Sequence, residues 1–243
     1  MKKHITITGL AIIVSISIAS AQSWKKLTKD VGSKVESVKG GTGLSEDEVG
    51  AGLKEALIQG VEKGVAQLSQ ADGYFKDPQI KIPMPDEAKK VETKLRKLGQ
   101  GEKVDEAILS MNRAAEDAAS EAKDLFVAAI KAMTITDAMN ILKGNDDAAT
   151  RYLRKSTNTE LTEKFRPIIK TSLDKVGATK HWETVFSTYN KVPFVDKVNP
   201  DLEQYVTEKA ITGLFIQVAK EELQIRKNPA ARATDLLKKV FGN

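Results

Sequence analysis

The chain has 243 residues, with 38 Lys+Arg against 33 Asp+Glu, two histidines and no cysteine. Without thiols it has no disulfide, no cysteine nucleophile and no zinc site that relies on Cys. Seven lysines and two acids precede residue 45, so residues 45–243 carry 31 charges of each sign. A body balanced in this way excludes the basic footprint of a nucleic-acid binder.

Residues 1–21 read as a signal peptide. Lys2 and Lys3 form a positive start, Ile5 to Ile18 an uncharged apolar run, and Ala19-Ser20-Ala21 a small-residue cleavage site. Thr6, Thr8, Ser15 and Ser17 dilute that run, which is shorter than the ~20 residues of a spanning helix. Cleavage after Ala21 is expected, with export to the periplasm and no stable membrane span afterwards. No cysteine follows to carry a lipid, so the expected form is soluble rather than lipid-anchored. His4 leaves with the leader, which makes His181 the one histidine of the mature chain, read as a surface or rim residue at the start of a helix. Residues 22–44 read as a flexible basic linker with Lys25, Lys26, Lys29, Lys34 and Lys39. Trp24, Leu27 and Val31 within it have the spacing of one amphipathic turn. Its end, Gly40-Gly41-Thr42-Gly43, lacks the Lys-Ser/Thr ending and the strand-to-helix context of a phosphate loop.

Ser45-Glu46-Asp47-Glu48 has the spacing of a capping box, and Leu53, Leu57, Val61, Val65 and Leu68 follow at helical intervals. Gly73 is the expected stop. Gly52, Ala56, Gly60 and Gly64 make a second, side-chain-poor ridge on that helix. Each interior glycine costs up to about 1 kcal/mol relative to alanine, so the ridge either receives another helix closely or walls a groove for a ligand. Tyr74 to Pro85 contains Pro78, Pro83 and Pro85, which forbid a helix, while Ile80, Ile82 and Met84 alternate as an extended segment does. That segment is expected to lie as a strap across a helical body.

Asp86 is the expected cap of the next helix, with Val91, Leu95 and Leu98 inward and Gly99 at its end. From Glu102 to Met133 the pattern stays helical, with an alanine-rich middle and a second helix restarting at Ser120. Thr134 to Asp137 caps a short helix ending at Gly144. Asn145-Asp146-Asp147 caps another, and lacks the alternating oxygen ligands and final glutamate of a calcium loop. Thr157-Asn158-Thr159-Glu160 opens a helix with Leu161, Phe165, Ile168, Ile169 and Leu173 inside, kinked at Pro167 and stopped by Gly177. Trp182, Val185, Phe186 and Tyr189 mark a further helix before the Val192-Pro193-Phe194-Val195 loop. Asp201 starts the most apolar helix, whose centre, Ala210 to Ala219, is a buried one rather than a span. Asn228-Pro229 starts the last, with Leu236, Leu237, Val240 and Phe241 as anchors. The expected fold is all-α: an irregular multi-helix single domain over 45–243 with a short extended proline-rich strap.

Several blocks of this sequence resemble a known family. They are Leu44-Ser45-Glu46 with Gly52-Leu53-Lys54-Glu55-Ala56-Leu57, and Gln70-Ala71-Asp72-Gly73-Tyr74 with Ile82-Pro83-Met84-Pro85. Met111-Asn112-Arg113-Ala114-Ala115-Glu116, Phe165-Arg166-Pro167-Ile168 and Thr234 to Gly242 complete them. Together they resemble the secreted bacterial domain-of-unknown-function family 4197, in order over roughly 44–242. The resemblance implies an exported protein of a Gram-negative bacterium and brings no established activity. Some members have a lipobox cysteine, which this chain lacks.

Polar groups stand where an apolar helix does not ask for them. Asn112, Arg113 and Glu116 lie between Met111 and Ala118; Arg166 lies between Phe165 and Pro167; Glu208 and Lys209 precede the most apolar run. Buried charges must be paired. These residues are either structural pairs and solvated faces, or a polar pocket floor in which Asn112, Arg113, Glu116 and Arg166 bind a ligand, the arginines facing a carboxylate or phosphate. No catalytic residue, metal ligand or cofactor is expected. The leading expectation is a non-catalytic periplasmic binding or interaction module with an unknown protein or small-molecule partner in the cell envelope. The alternative is a carboxylate-based glycan-cleaving enzyme, with Glu116 as its candidate acid.

Overall fold

Ser45 starts the first helix as its chemistry predicts. Its hydroxyl accepts from the Glu48 N–H at 3.3 Å, and the Glu48 carboxylate accepts from the Ser45 N–H at 2.8 Å. The helix it opens is α1, Glu46–Leu68. In the computed structural model the described residues are 45–180, 182–183, 201–228 and 238, all within the unit Gly40–Asn243. The leader, the linker, His181, the helix around Val185–Tyr189, the 192–195 loop and the C-terminal anchors lie outside the described residues.

After α1 come turns and an extended stretch, a 3-10 turn at Asp86–Ala88, and then α2 (Lys89–Lys97) and α3 (Gly101–Ala119). These are followed by α4 (Ala122–Ala132), α5 (Ile135–Lys143), α6 (Ala148–Lys175) and α7 (Leu202–Lys227). The described residues contain helices and no strand, which makes the fold all-α. Helix α7 is the central element, packed against α1, α3 and α6, while α1 also packs on α4 and α5. Phe215 of α7 meets Phe126 of α4 edge to face, with centroids 5.6 Å apart, a favoured aromatic geometry. No single helix among the described residues is long and apolar enough to cross a membrane.

The glycine ridge of α1 receives a helix. A Cβ on Gly60 would stand 3.0 Å from Ile225 Cδ1, and one on Gly64 3.4 Å from Gln217 and Glu221, all on α7. The close approach of two backbones explains glycine there, and no groove remains at these two positions. Gly64→Ala adds a methyl at ordinary contact distance to flexible side chains and gains up to about 1 kcal/mol of helix propensity, so its melting temperature should rise. Gly60→Val forces two further carbons into a space already tight for one, and overpacking costs about 1–3 kcal/mol. Thermal melts of the two variants should therefore move in opposite directions.

Other local expectations hold where the signal is local. Thr134 and Asp137 form a second capping box, a break at Ser120–Glu121 separates α3 from α4, and Asp201 accepts from the Gln204 N–H at 2.8 Å to cap α7. Gly99 and Gly177 end their helices at φ +74° and +67°, where glycine alone is unstrained. Several expectations fail, the cap at Asp147 among them, since it makes no capping bond. Helix α1 stops at Leu68, not at Gly73. Asp86 makes no capping bond, pairing instead with Lys89 at 2.7 Å. Leu98 faces out, 64% exposed. Helix α6 runs unbroken through 157–160, because Thr157 is buried and returns its hydroxyl to the Leu153 carbonyl at 2.7 Å, and Pro167 lies inside it.

Candidate functional site

The polar face of α3 meets the segment between α1 and α2. Only the second half of that segment is extended. Bonds from Lys76 N to Asp72 O, Asp77 N to Tyr74 O and Lys81 N to Asp77 O make the first half a set of turns. Over 80–84 the alternation is realised, with Ile80, Ile82 and Met84 buried and Lys81 and Pro83 exposed.

With no strand beside it among the described residues, the extended stretch takes hydrogen bonds from side chains. The Asn112 amide accepts from the Ile82 N–H at 2.8 Å and donates to the Ile82 carbonyl at 2.9 Å. It thereby does for one residue what a β-ladder does for many. One turn on, Glu116 Oε1 accepts from the N–H groups of Tyr74 (3.0 Å) and Phe75 (3.2 Å), and Oε2 accepts from Arg113 at 2.6 Å. Arg113 continues to Asp72 at 2.7 Å, and Lys76 reaches the same carboxylate at 2.7 Å. Asp72 holds φ +73°, a conformation that aspartate adopts more readily than most residues. Hydrogen bonds from Lys76 and then Arg113 hold its carboxyl below the usual range. Asn112 and Glu116 are buried, and Arg113 is part-exposed.

Tyr74 is the apolar counterpart. It is fully buried, its hydroxyl donates to the Ala210 carbonyl at 2.8 Å, and its ring lies where a Cβ on Gly213 would come within 2.7 Å. Burial first, and the Glu116 charge second, push its hydroxyl pKa far up. A folded-state value above the unfolded one near 10 gives stability that is full below pH ~10 and lost as pH rises, at about 1.4 kcal/mol per pH unit. Urea unfolding at stepped alkaline pH should show this slope in the parent protein. In Tyr74→Phe that slope should be shallower, the remainder coming from Tyr205.

Three of the four sequence-predicted binding residues thus come together: Asn112, Arg113 and Glu116 clamp the 72–82 segment. Arg166 does not join them. It binds Glu203 at 2.5 Å and Asp201 at 3.2 Å, fastening α6 to the start of α7. Glu208 accepts from Gln204 at 2.9 Å, and Lys209 lies 5.7 Å from the Tyr205 ring, whose hydroxyl donates to the Pro83 carbonyl at 2.9 Å. Burial, then Asp86 and Glu87, push the Tyr205 hydroxyl up to about 12.

A shallow, open depression of about 400 Å³ lies between α3 and α6. Its polar part is the Ser172 hydroxyl bonded to Asp117 at 2.6 Å, with Lys175 at the rim and Pro167 and Ile168 as its apolar part. Among the described residues no group of three or more His, Cys, Asp or Glu is placed to hold a metal ion. The sequence reading missed the buried pair Glu222–Arg226, 2.7 Å apart. Its signal was the i,i+4 spacing of opposite charges on a helix with an apolar face.

A family model described as "Protein of unknown function (DUF4197)" matches residues 43–242. No curated protein and no solved structure matches the chain.

Proposed function

The chain belongs to the DUF4197 family over the whole of its helical body, and from that premise we propose a non-catalytic interaction module of the cell envelope, exported and soluble, that docks through its surface. The observation that carries this is α2. Among the described α-helices it alone has no buried residue, and it ends in the exposed Leu98. The polar groups of the candidate site support the same reading from the other side. Both Glu116 oxygens are engaged by three donors, so carboxylate chemistry there would first have to release the segment it holds.

A photo-crosslinking residue at position 98, in cells that make the protein, tests the proposal. An adduct at 98 and none at the exposed position 160 is the expected result. Intact mass of the exported form should show loss of residues 1–21. The proposal is overturned if no adduct, to protein or to lipid, forms at 98, or if glycan-cleaving activity exists and Glu116→Gln abolishes it at unchanged melting temperature.

A further inference from the structure

Resting on that reading of α2 as the docking element, the geometry points to an anionic lipid surface as what it meets. Val91, Leu95 and Leu98 form one stripe of the helix by their spacing. The first two are half-buried against the core, and the third continues past its edge. Lys90, Lys94 and Lys97, at i, i+4 and i+7, share the adjoining face. From Lys89 to Leu98 there are five basic residues against one acid, Glu92.

That acid is already engaged. Glu92 and Asp105 both hold Arg96, at 2.9 and 2.7 Å, and Asp86 holds Lys89. Lys94 and Lys97 are exposed, with no ion pair among the described residues, and so is Lys103 at the start of α3. Glu87 and Glu102 are the exposed acids nearest them in sequence. The tip is rigid. Gly99 at φ +74° allows Gly99 N–H to bond Arg96 O at 3.1 Å and Gln100 N–H to bond Leu95 O at 2.9 Å, the paired bonds of a Schellman stop. Arg96 also braces α2 against α3.

The spacing decides between lipid and a protein groove. A helix docking in a groove offers anchors over two turns, at i, i+3 or i+4, and i+7. Here two of the three are taken by the body, leaving Leu98 alone. A lipid surface needs no pocket: one apolar tip enters the headgroup boundary while lysines beside it meet anionic phosphates. The 22–44 segment has the same character, with five lysines against Asp30 and Glu36, and Trp24.

Flotation of the purified exported form, without residues 1–21, with vesicles is the test, using phosphatidylglycerol–phosphatidylethanolamine against phosphatidylcholine alone. Binding should favour the anionic vesicles and fall steeply with added salt. Lys94→Gln and Lys97→Gln should each weaken it about fivefold, Leu98→Asp should abolish it, and Lys155→Gln on α6 should leave it unchanged. All four side chains are exposed, so melting temperatures should stay at the parent value. Equal binding to both vesicle types, or binding indifferent to Lys94, Lys97 and Leu98, overturns the inference. A protein adduct at position 98 without vesicle binding overturns it while leaving the docking reading intact; absence of both overturns both.

Discussion

Glu222→Ala should lower stability by about 3–5 kcal/mol, the usual cost of breaking a buried charge pair from one side. One carboxylate here serves two helices. It accepts from Ala149 N–H (3.0 Å), Thr150 N–H (2.8 Å) and the Thr150 hydroxyl (2.8 Å), in the first turn of α6. Asp147, in the cap position, makes no capping bond of its own. Arg226, bound to Glu222, donates to the carbonyls of Ile141 (2.9 Å) and Leu142 (3.4 Å) at the end of α5. Negative charge thus stands at a helix N-terminus and positive charge at a C-terminus, as the two dipoles favour. The pair is 3% and 11% exposed, and the void beside it is about 10 Å³, room for no more than one water. At about 2–4 °C per kcal/mol for a chain of this size, the melting temperature should fall by roughly 6–20 °C. Glu222→Ala combined with Arg226→Met should recover part of the loss, because no unpaired charge remains. A single-variant loss below about 1 kcal/mol would mean that solvent or another acceptor replaces the carboxylate.

Glu116→Ala should cost on the order of 3 kcal/mol, since it strands the Tyr74 and Phe75 N–H groups and removes a partner of Arg113. Its effect should be local in a way that a general loss of stability is not. Amide exchange over 69–85 should accelerate while α6 and α7 keep their relative protection. Asn112→Ala should free Ile82 and leave Tyr74 and Phe75 held by Glu116. If exchange at 69–85 were unchanged in both variants, the clamp would contribute nothing to holding the segment.

The helices were legible wherever one turn of sequence carries the whole signal. Ser45 with Glu48 and Thr134 with Asp137 are self-contained caps, and Gly99 and Gly177 are stops with a backbone reason. Thr157 to Glu160 shows the limit. It has the composition of a helix start, but burial of Thr157 and the flanking Leu153 and Leu161 keeps α6 continuous, so tertiary packing overrides a weak local preference. The same holds at Asp147, whose expected capping role passes to a glutamate 75 residues later in the chain. In the candidate site, the sequence marks Asn112, Arg113 and Glu116 as polar groups out of place on an apolar helix. It does not mark their partners, because Asp72, Tyr74 and Ile82 reach them only through the path of the intervening chain. Arg166 carries the same sequence signal and a different partner set.

The clamped segment has a bearing on aggregation. Ile80-Lys81-Ile82-Pro83-Met84 is the kind of short, apolar, extended stretch that invites a second chain to pair along its backbone. The N–H groups of Ile80 and Lys81 are turned back onto Asp77, that of Ile82 is held by Asn112, and Pro83 and Pro85 have none to offer. Tyr205 covers the Pro83 carbonyl. The side chain of Asn112 therefore acts as one gatekeeper among several as well as a brace. Its loss would free the Ile82 N–H alone, and the flanking Lys81 bond to Asp77 and the prolines at 83 and 85 would still deny a second chain a continuous ladder.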